Sequence, residues 1–410
     1  SRARLFCNCP VSWGIEFRID AMSEGVVKVE KPARHYALLQ APNGDYLGME
    51  GAEVGLFGHV DDKSIWEVHS GHIRHVATGK MLMSRSTLDG CCVEDHYEGV
   101  KFAVQHGPAD LPSRYLAAFK QQGWVCLPAI LSPRLVAQLQ QVACTGPWNA
   151  DKEDFRTAPL CRSSAVAKAT VEPVSLWLMR QYMNTSSIRL AHSPAIQVIR
   201  KKDRYVQGWH SDYPYHWGLD DLVPTGEENA ALPCLGVMSD VCIDDWTQAN
   251  GAEVLKLGSH RLNHGPPTHW GLARSFSERD GSQLYKGPEA DIMEMPAGSI
   301  FLYDSRCWHH VGPNTTEQKR GCLMNCATPS FVLPLADQSR PYTEFISSNM
   351  VADLTERELH EVDQLMVCKL PMDGAIATDH VLTDIRRKRM KTRREQQSTE
   401  AASAAAPSRL

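Results

Sequence analysis

The sequence predicts a mostly β protein with supporting helices, and two observations carry that reading. From Ile196 onward the apolar runs are short and β-like: IQVIR, LGVMSDVCI, GAEVLKL, SIFLYD and GCLMNCA, with turn residues between them. Ahead of them lie a few amphipathic helical segments. Many short strands after leading helices point to an all-β double sheet with helical support. The 410 residues, 43% apolar, are enough for one large domain plus a smaller partner.

The chain divides by pattern into four parts. Residues 1–29 read as a disordered leader, of which 1–21 precede Met22-Ser23, a natural start, and carry no assigned function. Residues 30–108 are a small N-terminal β region. There HYALLQAPNGDYLGM (35–49) and HIRHVATGKMLM (72–83) share one form, with Gly44 and Gly79 35 positions apart. Asn-Gly between apolar runs is a strong tight-turn signal. The pattern resembles strand pairs of fascin-like β-trefoils, and two such units make a partial match. It is read as a β extension packed on the main domain, with a carbohydrate- or actin-binding module as the alternative.

Residues 109–375 form the main domain. Tyr115, Leu116 and Phe119 carry helical periodicity, and Gly123 ends that helix. VCLPAIL is a short strand, Ser132-Pro133 opens a second helix, and SLWLMRQYM (175–183) is a third. Residues 376–410, including RRKRMKTRREQQSTEAASAAAPSRL, hold few large apolar side chains and read as a disordered basic tail.

Composition excludes some classes. A net charge of −5 argues against a nucleic-acid-coating surface. No run of about 18 apolar residues is present to span a membrane. The 13 cysteines include no CxxC pair and no signal peptide is recognisable, which predicts free thiols in a reducing compartment.

The chemistry concentrates in WHSDYPYHWG (209–218) and RCWHHVGPNTTEQKR (306–320). His210 and Asp212 are two apart, so on a strand both face one side. A histidine from a distant strand would complete a 2-His-1-carboxylate triad. That set leaves three positions open on iron(II), two for the keto and carboxylate oxygens of 2-oxoglutarate and one for dioxygen. GSIFLYDSRCWHH (298–310) supplies such a histidine, and Arg320 returns on the following strand. A buried arginine there can bind a distal carboxylate through two parallel hydrogen bonds.

Order and spacing now become specific. Trp209-His210-Ser211-Asp212, Asn250-Gly251, Gly258-Ser259-His260, Gly298-Ser299, His309-x-x-Gly312-x-Asn314 and Arg320 together resemble the phytanoyl-CoA dioxygenase family over about 110–330. The resemblance implies a double-stranded β-helix (jelly-roll) core. It implies His210, Asp212 and His309 as iron ligands and Arg320 as the 2-oxoglutarate anchor. Gln197 stands where the family often contacts the cosubstrate. The aromatic contact of some members falls near Asp240 here, a departure from the pattern. Spacing favours His309 over His310, which alternation turns the other way. His260 belongs to a structural Gly-Ser-His turn, and His216, His264 and His269 are loop histidines.

The expected activity is an iron(II)- and 2-oxoglutarate-dependent dioxygenase that consumes O2 and releases succinate and CO2. Asp212 stands where related halogenases have a small residue, which favours hydroxylation, desaturation or ring closure of a small organic or acyl substrate. Tyr213, Tyr215, Trp217 and Trp308 flank the ligands, and Tyr215 and Trp217 are the substrate candidates. The alternative is a binding or scaffold protein acting through the N-terminal module with a silent jelly roll. The final Ser408-Arg409-Leu410 resembles a peroxisomal address, which would make an import receptor a partner. RRKRMKTRR (386–394) fits a nuclear signal or a solvated basic tail and is read as the latter, and cytoplasm is the alternative location.

Overall fold

The computed structural model describes residues 25–69, 72–87, 90–93, 100–145, 158–201, 208–215, 233–262, 264–266 and 290–367. The basic tail with its Ser408-Arg409-Leu410 end lies outside them, as do residues 1–24, Trp217, His216 and His269.

The expected leader needs one correction. Val26–Lys28 form a strand, β1, that adds in parallel to the sheet edge at Ile292–Glu294. The alternation of VVKV explains this: Val27 and Val29 are buried in the core between the sheets, and the strand covers an otherwise open edge.

The N-terminal module follows. Its strands are β2 (Ala37–Gln40), β3 (Tyr46–Glu50), β4 (Glu53–Phe57), β5 (Trp66–His69), β6 (His72–His75), β7 (Met81–Thr87), β8 (Gly90–Val93) and β9 (Lys101–His106). They form one eight-stranded antiparallel sheet that closes through β2 pairing with β9. Two hairpins are visible as repeats in the sequence, whereas the structure has a self-contained sheet. Gly44 turns the β2–β3 hairpin at φ +99°. That turn docks on the main domain, where the Asn43 carbonyl accepts from the Arg357 amide. Leu38, Tyr46, Val60 and Ile65 of the module share a core with Tyr115, Phe119 and Leu139 of the main domain.

The main domain begins with α1 (Pro112–Gln122), β10 (Trp124–Leu127), α2 (Pro133–Thr145), α3 (Ser164–Thr170) and α4 (Pro173–Tyr182). The strands β11 (Ile188–Leu190), β12 (Ala195–Ile199), β13 (Val237–Cys242), β14 (Glu253–Leu255), β15 (Asp291–Glu294), β16 (Ile300–Asp304), β17 (His309–Val311) and β18 (Arg320–Pro329) come next. Helices α5 (Ser339–Ser347) and α6 (Glu356–Met366) close the described chain. A larger sheet runs β10-β16-β13-β18-β11 with β12 also on β18, and a smaller one runs β1-β15-β14-β17.

These two sheets make the jelly roll. Alternation splits the larger one. Val125, Val237, Val241, Ile300, Leu302 and Leu323 face the helices. Trp124, Cys126, Met238, Cys242, Phe301, Tyr303, Cys322 and Cys326 face the smaller sheet. The second set lines the chamber in which the candidate site sits. Its four thiols are pushed up by burial and behave as small neutral side chains. No described helix is long and apolar enough to cross a membrane.

Candidate metal centre and active site

The backbone brings the three expected ligands together. His210 forms an isolated antiparallel bridge with His309, and each amide donates to the other's carbonyl at 3.1 and 3.0 Å. Asp212 is not on a strand. Its amide donates to the Ser305 carbonyl at 2.8 Å, which folds its carboxylate back toward the histidines. Asp212 Oδ2 lies 3.2 Å from His309 Nε2, and Asp212 Oδ1 lies 3.7 Å from His210 Nε2. One ligand atom from each of the three lies within 4.8 Å of the others, so they can hold a metal ion.

Ring orientation is fixed from behind. His210 Nδ1 is 2.8 Å from the Gly208 carbonyl, and His309 Nδ1 is 2.9 Å from the Cys307 carbonyl. A donating Nδ1–H leaves each Nε2 lone pair for a metal. Burial pushes His309 down to about 4, so its imidazole is neutral at physiological pH, the form that ligates. His310 pairs with Val254 and packs edge-on against the Trp209 ring, centroids 4.6 Å apart.

Arg320 starts β18 on the same chamber face as Cys322 and is completely buried. Its guanidinium stacks on Trp246 at 3.9 Å. Among the described residues, neither its Nε nor its Nη1 has a hydrogen-bond acceptor. A buried, unpaired guanidinium is costly unless an anion joins it. Gln197, partly buried on β12 opposite Cys322, shares that face.

Two acids complete the wall. Asp240 on β13 and Glu253 on β14 are both buried, and Glu253 Oε1 is 3.7 Å from His309 Nε2. Burial first, then the neighbouring Asp212 charge, pushes Asp240 up to about 7. Burial and Asp240 push Glu253 well above the usual carboxylate range. Burial thus favours the neutral form of both acids, while the nearby Arg320 charge draws each partly back down. Tyr303 sits among these groups, its hydroxyl 3.3 Å from Asp212 Oδ2 and 3.4 Å from His309 Nε2.

The spaced motif residues serve as scaffold. Ser259 Oγ accepts from the Trp308 amide at 2.8 Å and so fixes the residue before His309. The His260 ring packs on Gly123, where a Cβ would come within 2.3 Å of its Nδ1, and burial pushes it down to about 4. Asn250 closes a capping box with Thr247, and Gly251 (φ +91°) lies so close to the Gly312 carbonyl that a Cβ would be 2.7 Å away. Asn314 Nδ2 donates to the Ile199 and Gln318 carbonyls, holding the loop that returns the chain to Arg320.

The aromatic residues divide differently. Tyr215 is buried, its hydroxyl donating to the Pro233 carbonyl and accepting from the Leu235 amide, each at 2.7 Å. Trp308 is buried and donates to the His264 carbonyl at 3.0 Å. Tyr213 reaches the Leu333 carbonyl. Sequence reasoning missed Glu253, Tyr303 and Trp246. The available signal was an acid inside an otherwise apolar strand, GAEVLKL, because such a residue is buried only for a reason.

Comparison with known proteins finds a family profile, a curated relative and solved structures that are similar to parts of this chain. Residues 119–322 match the sequence profile described as phytanoyl-CoA dioxygenase (PhyH). The dioxygenase FUM3 of Gibberella moniliformis is 27% identical over 130 residues, 32% of this chain and 34% of that protein. The match therefore spans about a third of that curated relative. Among solved structures, HygX from Streptomyces hygroscopicus, with nickel and 2-oxoglutarate bound, is 18% identical over 55% of this chain and 89% of its own, at a TM-score of 0.41. The non-haem α-ketoglutarate-dependent epimerase SnoN from nogalamycin biosynthesis is 17% identical over 53% and 83%, at 0.38.

Proposed function

The chain belongs, through residues 119–322, to the phytanoyl-CoA dioxygenase family, and on that footing we propose that it is an iron(II)- and 2-oxoglutarate-dependent dioxygenase of a small organic or acyl substrate. His210, Asp212 and His309 hold the metal, and Arg320 binds the distal carboxylate of 2-oxoglutarate. The observation that carries this reading is the fully buried guanidinium with two unpaired nitrogens on the chamber wall that also carries the triad's neighbours. Nothing in a purely structural jelly roll requires that cost.

Iron held by these residues would supply, with 2-oxoglutarate and O2, the oxidation of an unactivated C–H bond, with succinate and CO2 as coproducts. The protein's own part is positional. The His210–His309 bridge sets the spacing of the two imidazoles. The carbonyls of Gly208 and Cys307 select the tautomer that points Nε2 inward. Arg320, held flat by Trp246, orients a carboxylate rather than merely attracting it. The apolar and thiol-lined chamber excludes water. Asp212 occupies a ligand position with a carboxylate, which supports oxygenation rather than halogenation, with hydroxylation the leading outcome.

Succinate formation from 2-oxoglutarate in aerobic, iron-loaded protein tests this reading. The native chain is expected to turn over slowly without substrate. Asp212→Ala, with native circular dichroism, is expected to lose that turnover. Equal turnover in the two would refute the assignment.

A further inference from the structure

The N-terminal module and the main domain enclose a cleft of ≈ 540 Å³, away from the metal centre. That volume lies in the range of small-molecule sites. Gln40, Tyr46 and Gln105 line it from the module, and Arg134, Lys168 and Arg357 line it from the main domain.

The charges on its walls are unevenly committed. Glu172, Asp353 and Glu358 match the three cations in number, but each is engaged locally. Glu172 accepts from the amides of Val174 and Ser175 at 3.2 and 2.6 Å. Asp353 accepts from Ser164 Oγ at 3.2 Å. Glu358 accepts from the Thr355 amide and hydroxyl at 2.7 and 3.1 Å. The cations are less fully engaged, although Arg357 faces the buried Glu172 carboxyl, which its charge draws back down against burial. Arg134 and Lys168 make no hydrogen bond or ion pair with the described residues. Arg357 is 7% exposed, donates one Nη2 bond to the Val171 carbonyl, and stacks on Tyr46 at 5.4 Å. Its Nε has no partner among the described residues.

The helix geometry adds to this imbalance. Ser132, Arg134 and Leu135 at the start of α2 and Thr355, Arg357 and Glu358 at the start of α6 all line the cleft. Helix N-termini carry partial positive charge. Three cations, one of them buried with an unpaired nitrogen, and two such termini supply donors for an oxyanion in a cleft whose three carboxylates are already engaged by local donors.

We propose that the cleft between the N-terminal module and the main domain is a second ligand site, for a small molecule bearing phosphate or carboxylate oxyanions. Arg357 is its buried anchor, and Lys168 and Arg134 are its outer contacts. An occupant touches both units, so it clamps the module onto the main domain.

The test is calorimetric titration of the full-length chain in about 0.15 M salt, where diffuse surface attraction is largely screened. Inorganic pyrophosphate is used in one arm and tricarballylate in the other, which separates phosphate from carboxylate recognition. One-to-one saturable binding of at least one probe is expected. Losing two charge-assisted contacts in Arg134→Ser/Lys168→Ser should weaken it roughly tenfold or more. Both side chains reach solvent, so that variant keeps the fold, and Arg357→Lys gives an independent reading at the buried anchor. Arg320→Ala should bind as the native chain does. Absence of saturation with both probes overturns the proposal. So does unchanged affinity in the double variant, or loss of binding in Arg320→Ala alone, which would place the anion in the oxygenase chamber.

Discussion

Arg320 and Asp240 face one chamber and ask opposite things of it. Arg320 has two nitrogens unpaired among the described residues, whereas Asp240 is held up at about 7 by burial and by Asp212. Replacing Arg320 by Ala removes two charge-assisted hydrogen bonds to the cosubstrate. At about 1.5–3 kcal/mol each, 2-oxoglutarate affinity should fall by roughly 100-fold or more, and Lys should restore only part of it. An unchanged dissociation constant would contradict the assigned role. The folded chain holds the Asp240 proton that the unfolded chain releases near pH 4. Its contribution to stability is therefore complete below about pH 4 and is lost as pH rises to about 7. His309, pushed down to about 4, works the other way, so the comparison must be made between variants. In metal-free protein, the melting temperature of Asp240→Asn should gain on the native chain as pH rises from about 4 to about 7. Parallel curves would count against this account. The triad and Arg320 were legible in the sequence because their spacing is distinctive. Glu253 and Tyr303 were not, because their roles arise only when β14 and β16 from opposite sheets face each other.

At the scale of the element, the spaced motif residues hold strands and turns. Gly123 caps α1 at φ +76° and leaves room for the His260 ring. Gly123→Ala adds backbone strain and a clash, and should destabilise by roughly 2–5 kcal/mol, read by chemical denaturation. Ser259→Ala leaves the buried Trp308 amide unpaired, at a cost of about 1–3 kcal/mol. Because Trp308 precedes His309, the same variant should weaken metal affinity about 10- to 100-fold, the size expected for lost ligand support. Stability loss with unchanged metal affinity would separate that turn from the centre. The longer elements were readable from periodicity and punctuation: Pro112–Gln122 ends at a glycine, and Pro133–Thr145 starts at Ser-Pro. The strands β11, β14 and β17 have three residues each, all buried. A run that short and that uniformly buried has no alternation to read. The departure of Asp212 from strand geometry has a similar cause, since the Ser305 carbonyl that turns it is almost a hundred positions away.

At the scale of the molecule, the module and the main domain share one core. Leu38, Tyr46, Val60 and Ile65 each contribute roughly 1.5–3 kcal/mol by burial against it. That is comparable to the whole stability of a typical domain. The chain should therefore unfold in a single calorimetric transition, and two separated transitions would show that the module is an independent unit. The sequence made the module's turns visible but not its closure through β2 and β9, a pairing across more than sixty residues. The main domain alone is proposed to present a metal triad and a cosubstrate anchor in one chamber. That proposal is tested most directly by anaerobic titration of the full-length chain with iron(II) and 2-oxoglutarate, followed by the weak visible charge-transfer band of the chelate. The band should appear at one equivalent of iron in the native chain, vanish in Asp212→Ala, and require far more 2-oxoglutarate in Arg320→Ala. A folded native chain that binds iron and 2-oxoglutarate without developing the band, or binds neither, would contradict it.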